Sequence, residues 1–186
     1  MWIQFLRPSA TGRIEFSARL VLSSSSGHSR NRVSFLHSAG ITEPEDLDID
    51  AIAFACGATI LRQPLTGCEA NIIGSGDKAI ITVNIKSIAG HQRFSSGHEL
   101  GHWMKDRGQN AFGCSKSQMN SEWTGNNAET RANRFASDLL LPLSMFVPIA
   151  KGRSITLETV IYLAGVFRMS RTATAIRLVQ HLTATA

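Results

Sequence analysis

The sequence predicts an α+β fold in which a small β-sheet packs on two helices, with a further helical pair at the C-terminus. Three observations predict it. Residues 58–84 contain three short β-rich runs, residues 91–106 have a helical pattern around His-Glu-Leu-Gly-His, and residues 127–142 form an amphipathic repeat that ends at a proline. The length of 186 residues suits one domain with its own core.

Composition divides the chain into a leader of residues 1–40, a core of residues 41–150 and a C-terminal helical pair of residues 151–186. The leader holds five arginines, a single acid and many serines, which is typical of a disordered tail or of an organellar transit peptide. We favour the tail, or a misassigned start codon. No sustained apolar region precedes a small-residue cleavage site, so secretion is not expected. Much of the net charge of +5 lies in this leader, so the charge does not by itself indicate a nucleic-acid partner.

The compartment is inferred from apolar runs and cysteines. No apolar run approaches the ~20 residues that cross a bilayer, so we expect no membrane span. Cys56, Cys68 and Cys114 show no Cys-x-x-Cys spacing, which argues against a disulfide framework and against a cysteine-rich zinc site. A reducing, cytoplasmic location is therefore expected.

Residues 41–57 predict the first helix, with Thr42 as its N-cap, Pro44 in its first turn and Gly57 as its stop. The acids near its start suit the helix dipole, so we interpret them as a solvated surface and not as a binding patch. The expected inner stripe consists of Leu47, Ala51, Ile52 and Ala55.

Three β-rich runs come next: "ATILRQPL", "NIIGS" and "AIITVN", with "GSGD" as a turn between the last two. They predict a small sheet beside the following helix. We expect that an edge of this sheet could accept an extended peptide as an added strand.

The motif "HELGH" covers residues 98–102 on the next predicted helix. At about 100° per residue, His98 and His102 point the same way and could hold one metal ion. Glu99 lies on the flank, where it would not ligate comfortably but could take a proton from water at the metal. The pattern therefore predicts a catalytic metal site.

Two glycines, Gly97 and Gly101, interrupt this helix, and each costs about 1 kcal/mol relative to alanine. Two explanations stay open: close packing of another helix, or a bare face through which substrate or backbone approaches the metal. Residues 107–127 are rich in Gly, Asn and Ser and predict a long loop that could form part of a cleft rim.

A site of two histidines is incomplete, because catalytic zinc usually takes three protein ligands and leaves one position for water. The helix of residues 127–142 is capped near Asn126 or Asn127, and its apolar stripe extends back to Glu129. A carboxylate in line with a buried face needs a partner, although an exposed acid in a first turn is the alternative. We take Glu129 as the third ligand and expect Asn133 to make a buried hydrogen bond that braces the helix.

The blocks "RFSSGHELGHW" and "ETRANRFASDLLLP" resemble the ImmA/IrrE family of bacterial metallo-endopeptidases, over about residues 45–180. The resemblance implies a zincin-like fold that binds Zn²⁺ through His98, His102 and Glu129, with Glu99 as the catalytic glutamate. It also implies a protein substrate, often a helix-turn-helix repressor encoded by an adjacent gene, whose cleavage switches on stress or mobile-element genes.

The sequence departs from the family pattern at two positions. Arg131 stands where many members carry an acid, which removes the nearest rival of Glu129 as a ligand. Asp106 stands where a further histidine is often found, and the resemblance does not cover the leader.

Residues 156–182 predict two helices about an Arg-Met-Ser turn, with Ser170 capping the second helix, in the manner of a helix-turn-helix. Arg168, Arg171 and Arg177 would be the basic residues of this pair. Three arginines are a small electrostatic footprint, so contact with DNA is not favoured. The pair would instead dock the substrate protein or close the core.

The remaining histidines are interpreted as surface or capping residues: His28, His37, His91 and His181. Tyr162 is expected to be a core residue. Two alternatives to a peptidase stay open. One is a DNA-binding regulator with a structural or sensing zinc site, and the other is a component of a toxin–antitoxin pair.

Overall fold

The computed structural model describes residues 40–105 and 128–183, and every structural statement below refers to these residues. Several expectations concern residues outside these ranges: the leader up to residue 39, the loop of residues 107–127, Asp106, and the caps at Asn126 and Asn127. Within the described part, the predicted α+β architecture is confirmed.

The first predicted helix is in fact two segments, a 3-10 helix Pro44–Asp46 and the α-helix α1, Ile49–Ala55. Asp48 causes the break, because its side chain accepts hydrogen bonds from the backbone N–H groups of Asp50 and Ala51 at 2.9 and 3.2 Å and so begins a new helix. The expected inner stripe is also partly wrong. The buried residues are Leu47, Ile49, Ile52 and Ala53, whereas Ala51 and Ala55 are half-buried.

The predicted sheet is confirmed, with strands β1 (Ala58–Gln63), β2 (Ala70–Ser75) and β3 (Lys78–Asn84). The order is β1-β3-β2, with β1 parallel and β2 antiparallel to the central β3. Gly76, at φ +60°, occupies the tight turn between β2 and β3, where a left-handed residue is needed. The inner face consists of small and β-branched residues: Ala58, Ala70, Ile72, Ala79, Ile81 and Val83.

The helix that contains the HELGH motif, α2 (Ala89–Lys105), packs on this inner face. Leu100 is buried in the core, and the Trp103 indole N–H donates to the carbonyl of Cys56 at 2.9 Å. Gly74 of β2 makes room for the indole, since a Cβ at this position would lie 2.5 Å from Trp103 Cζ3. The sheet and α2 are thus fixed to each other next to His102.

The next helix, α3 (Ala128–Leu140), crosses α2 at the two glycines. A Cβ on Gly101 would lie 3.0 Å from Ala132 Cα, and a Cβ on Gly97 would lie 2.9 Å from Leu140 Cδ1. Close helix packing is therefore the reason for these glycines, which decides between the two explanations that the sequence left open. The short distance between α2 and α3 brings the start of α3 to the histidines.

Three helices complete the fold: α4 (Leu143–Ala150), which follows Pro142, α5 (Leu157–Val166) and α6 (Arg171–Thr183). The predicted pair α5–α6 is confirmed, and Ser170 Oγ accepts from the N–H of Ala173 at 3.2 Å as its cap. The hydrophobic core is continuous from the sheet through α4 to Leu163 and Phe167. No helix in the described residues is long and apolar enough to cross a membrane.

Candidate metal centre

His98 and His102 lie one turn apart on α2, and both side chains are buried. Their Nε2 atoms are 3.1 Å from each other. Glu129, in the first turn of α3, places Oε2 3.2 Å from His98 Nε2 and Oε1 3.4 Å from His102 Nε2. The structure therefore brings together the three residues that the sequence singled out as ligands.

This donor set fits a bound metal ion. One ligand atom from each of the three residues lies within 4.8 Å of the others, and no other such group occurs among the described residues. Ligand bonds of ~2.0–2.1 Å in a tetrahedron separate the donors by about 3.4 Å, which is close to the contacts between these three side chains. Two imidazole nitrogens and one carboxylate are also a ligand set of catalytic zinc sites.

Asn133 fixes the orientation of His98. Its Oδ1 lies 2.8 Å from His98 Nδ1, across the contact of α2 and α3. An Nδ1–H that donates to this oxygen leaves the Nε2 lone pair directed at His102 and Glu129, as a metal ligand requires. The sequence indicated a bracing hydrogen bond at Asn133 but not its partner. The available signal was its place one turn after Glu129 on the same helix.

Glu129 is held in its ionised form. In the metal-free protein, the adjacent imidazoles of His102 and then His98 lower the pKa of the Glu129 carboxyl from 4.5 to about 2, against an opposing effect of burial. Its side chain is 19% exposed, while both histidine side chains are fully enclosed. The centre is thus a buried pair of imidazoles with a carboxylate at its more accessible side.

Glu99 is fully buried on α2, between the two histidines in sequence. A helix turns about 100° per residue, so Glu99 lies beside the line of the histidines and not in it. His98, Glu99 and His102, the three polar side chains of the HELGH motif, are thus all buried. The helix that contains them packs against both the sheet and α3.

The expectation that Arg177 belongs to a basic surface is wrong. Arg177 is buried, its Nε donates to the carbonyl of Leu141 at 2.9 Å, and its Nη2 lies 2.9 Å from Asp138 Oδ1. These bonds join α6 to the end of α3. Arg177 is therefore not available for contact with DNA, which leaves two of the three arginines that the helical pair was expected to offer.

The expectation that Tyr162 is a core residue is also wrong. Its side chain is 45% exposed on α5, and the guanidinium of Arg153 lies 3.9 Å from the centre of its ring. The repeat of apolar residues along this helix did not decide whether the Tyr162 ring is buried or exposed. Stacking with arginine explains how it remains outside the core.

An α+β fold with two histidines and a glutamate converging from crossed helices is the architecture of a metallopeptidase. The chain matches the family described as IrrE N-terminal-like domain, Peptidase_M78, over residues 57–179, and it belongs to this family. No curated protein matches the chain. The family assignment supports a metallopeptidase-type function and implies a protein substrate.

Proposed function

We propose that the protein is a zinc-dependent endopeptidase, with His98, His102 and Glu129 as metal ligands and Glu99 as the residue that transfers protons. The convergence of the two histidine Nε2 atoms with the Glu129 carboxylate is the observation that carries the proposal. It agrees with the chain's membership of a peptidase family.

Zinc is a metal that this donor set fits. Neutral imidazoles suit borderline metals such as zinc, whereas magnesium and calcium prefer all-oxygen sites. Asn133 would keep His98 in the neutral tautomer that binds through Nε2. When bound, zinc supplies Lewis-acid chemistry, which polarises the scissile carbonyl and lowers the pKa of water.

Glu99 would transfer the proton during hydrolysis. Its carboxylate would accept a proton as a water oxygen attacks the carbonyl carbon, and it would return the proton to the amine nitrogen as the C–N bond breaks. The reaction then needs no covalent enzyme intermediate. Burial of Glu99 keeps bulk water from competing for this proton.

The edge of β2 is the place where we expect the substrate backbone to bind. Asn84 N donates to the Glu69 carbonyl at 2.8 Å, so by antiparallel alternation the backbone groups of Ala70, Ile72 and Gly74 face away from β3. No described strand pairs with this edge. Gly74 packs on Trp103, the residue after His102, so a peptide added there would join a strand that contacts the HELGH helix.

The substrate that we propose is a helix-turn-helix repressor encoded by an adjacent gene, cleaved in the cytoplasm as a stress or mobile-element switch. The ImmA/IrrE resemblance supports this choice.

Elemental analysis and a cleavage assay test the proposal together. We expect one zinc per chain in the wild type, loss of zinc in His98→Ala and Glu129→Ala, and retained zinc in Glu99→Gln. Incubation with the neighbouring repressor should give defined fragments by mass spectrometry with the wild type but not with Glu99→Gln. Cleavage that persists in Glu99→Gln, or a wild type that binds no zinc after metal loading, would reject the peptidase mechanism.

A further inference from the structure

A cleft of about 300 Å³, separate from the metal centre, lies where four segments of the chain meet. These are the 3-10 helix with the start of α1, the end of β1, the first turn of α2 and the turn between α5 and α6. Six charged residues line it: Glu45, Asp48, Asp50, Arg62, Arg93 and Arg168. None of them contributes to the metal centre.

Arg93 of α2 has a hydrogen-bonding group that its surroundings do not satisfy. Its Nη2 donates to the Leu47 carbonyl, but its Nε is buried and has no acceptor among the described residues. Burial, and then the neighbouring guanidinium of Arg168, lower the pKa of Arg93 to about 10, against an opposing effect of Asp48 and Asp50. A buried donor beside a second positive charge is unfavourable unless an anion can reach it.

Arg168 reaches the same cleft from the α5–α6 turn at a conformational cost. Its φ is +53°, a left-handed conformation that helix ends usually reserve for glycine. Its Nη2 donates to the Glu45 carbonyl at 2.8 Å, and its other N–H groups remain for a ligand. A long cationic side chain at a position that favours glycine indicates a use for the guanidinium.

Two of the three acids that line the cleft have partners of their own. Both carboxylate oxygens of Asp50 bind Arg62, each at 2.8 Å. Asp48 caps α1 through Oδ1. The first turn of α2 also lines the cleft at Ala89, where the helix dipole favours negative charge. Arg62 is thus paired with a carboxylate, whereas Arg93 and Arg168 bind only backbone carbonyl groups among the described residues.

We propose that this cleft binds a small oxyanion, a carboxylate or a phosphate, between the guanidinium groups of Arg93 and Arg168. Two guanidinium forks suit the paired oxygens of either group. The anion would join the α5–α6 turn to the N-terminal end of the helix that contains His98 and His102. These parts already touch, since a Cβ on Gly90 would lie 2.6 Å from Ser170 N. The site does not depend on the proposed peptidase activity.

Thermal unfolding of the full chain tests the site with inorganic phosphate and with succinate, at constant ionic strength set by sodium chloride. We expect the wild-type Tm to rise with the logarithm of the concentration for at least one of the two anions, once that concentration exceeds Kd. Arg93→Gln and Arg168→Gly should lose this response. Glycine suits the backbone at 168, so that variant should remain folded. Arg153→Gln, which removes an arginine outside the cleft, is the matched control and should respond as the wild type does.

Calorimetric titration then gives the affinity. We expect a Kd at least about tenfold weaker in Arg168→Gly, because a charge-assisted pair of hydrogen bonds is lost. If Arg93→Gln does not fold, Arg93→Lys keeps the charge but not the fork and should also bind more weakly. Saturation by phosphate alone would assign a phosphoryl ligand, and saturation by succinate alone a carboxylate. No saturable response in the wild type, or equal responses in all variants, would overturn the proposal.

Discussion

At the scale of single residues, the metal centre depends on which nitrogen of each imidazole carries the proton. His98 can bind a metal through Nε2 only while Nδ1 holds the hydrogen, and the Asn133 oxygen at 2.8 Å stabilises that tautomer. Asn133 is therefore a positioning residue. It belongs to the same helix as Glu129, so α3 supplies both a ligand and the group that orients a ligand on α2.

Replacing Asn133 tests this role. We expect Asn133→Leu, which has a similar volume but no acceptor, to weaken zinc binding about 10- to 100-fold in chelator competition. Asn133→Asp keeps an acceptor and should bind zinc far better than Asn133→Leu. Arg134→Gln, at an exposed position of the same helix, is the control. Equal zinc affinities in Asn133→Leu and Arg134→Gln would show that the hydrogen bond does not matter.

The pH dependence of stability tests the contact of Glu129 with the histidines in the metal-free protein. The pKa of its carboxyl is lowered on folding, so ionised Glu129 stabilises the fold above about pH 4.5, and the contribution is lost as the pH falls towards 2. The difference in unfolding free energy between the wild type and Glu129→Gln should therefore shrink as the pH falls below about 4.5. Urea titrations between pH 5 and pH 3 measure it. A difference that grows over this range would contradict the assigned pKa.

The residues of the centre could be predicted from sequence to different degrees. His98 and His102 share a helical face by local geometry alone, and the apolar stripe of the later helix pointed to Glu129. The partner of Asn133 could not be predicted, because it depends on how two helices cross. Arg177 was counted among the basic residues of the helical pair, and its burial could not be predicted, because only tertiary packing supplies Asp138 and the Leu141 carbonyl.

At the scale of elements, the contact of α2 with α3 determines whether the ligands meet. Gly101 lies against the backbone of Ala132, one turn after Glu129, so any increase in helix separation moves the carboxylate away from the histidines. The sequence revealed the two glycines but not what they faced. It also missed the break between the 3-10 helix and α1, because the acids there suited one long helix as well as two short ones.

Three glycine-to-alanine changes test the helix contact. A Cβ on Gly101 meets backbone at 3.0 Å, on Gly97 it meets the flexible end of Leu140 at 2.9 Å, and on Gly165 of α5 it meets open space. We expect Gly165→Ala to stabilise by up to about 1 kcal/mol, and Gly101→Ala to destabilise by about 1–2 kcal/mol, since overpacking outweighs helix propensity. Gly97→Ala should lie between them. Urea unfolding measures the order.

Zinc affinity separates this packing effect from a general loss of stability. Gly101→Ala should weaken zinc binding, because it shifts the helix of Glu129, whereas Gly165→Ala should leave it unchanged. If Gly101→Ala were as stable as the wild type and bound zinc equally well, the close approach of the two helices would not be needed for the site.

At the scale of the whole molecule, the C-terminal pair and the sheet share one hydrophobic core. Val160 and Leu178 of α5 and α6 belong to the same buried cluster as Ile81 of β3. Hydrogen bonds also join the helical pair to the rest of the chain, since Arg177 binds the end of α3 and Arg168 binds the carbonyl of Glu45. We therefore expect the metal centre and the helical pair to unfold together.

Replacing the guanidinium of Arg177 by an apolar side chain tests this cooperativity. Arg177→Met loses hydrogen bonds to Asp138 and to the Leu141 carbonyl and should lower the unfolding free energy by about 2–3 kcal/mol. Arg171→Gln, at an exposed position in the first turn of α6, should change it little. Far-UV circular dichroism and zinc release should follow a single urea transition in both variants, because one core connects α6 to α2. An early transition of Arg177→Met that leaves zinc bound would instead make the helical pair a separately unfolding unit.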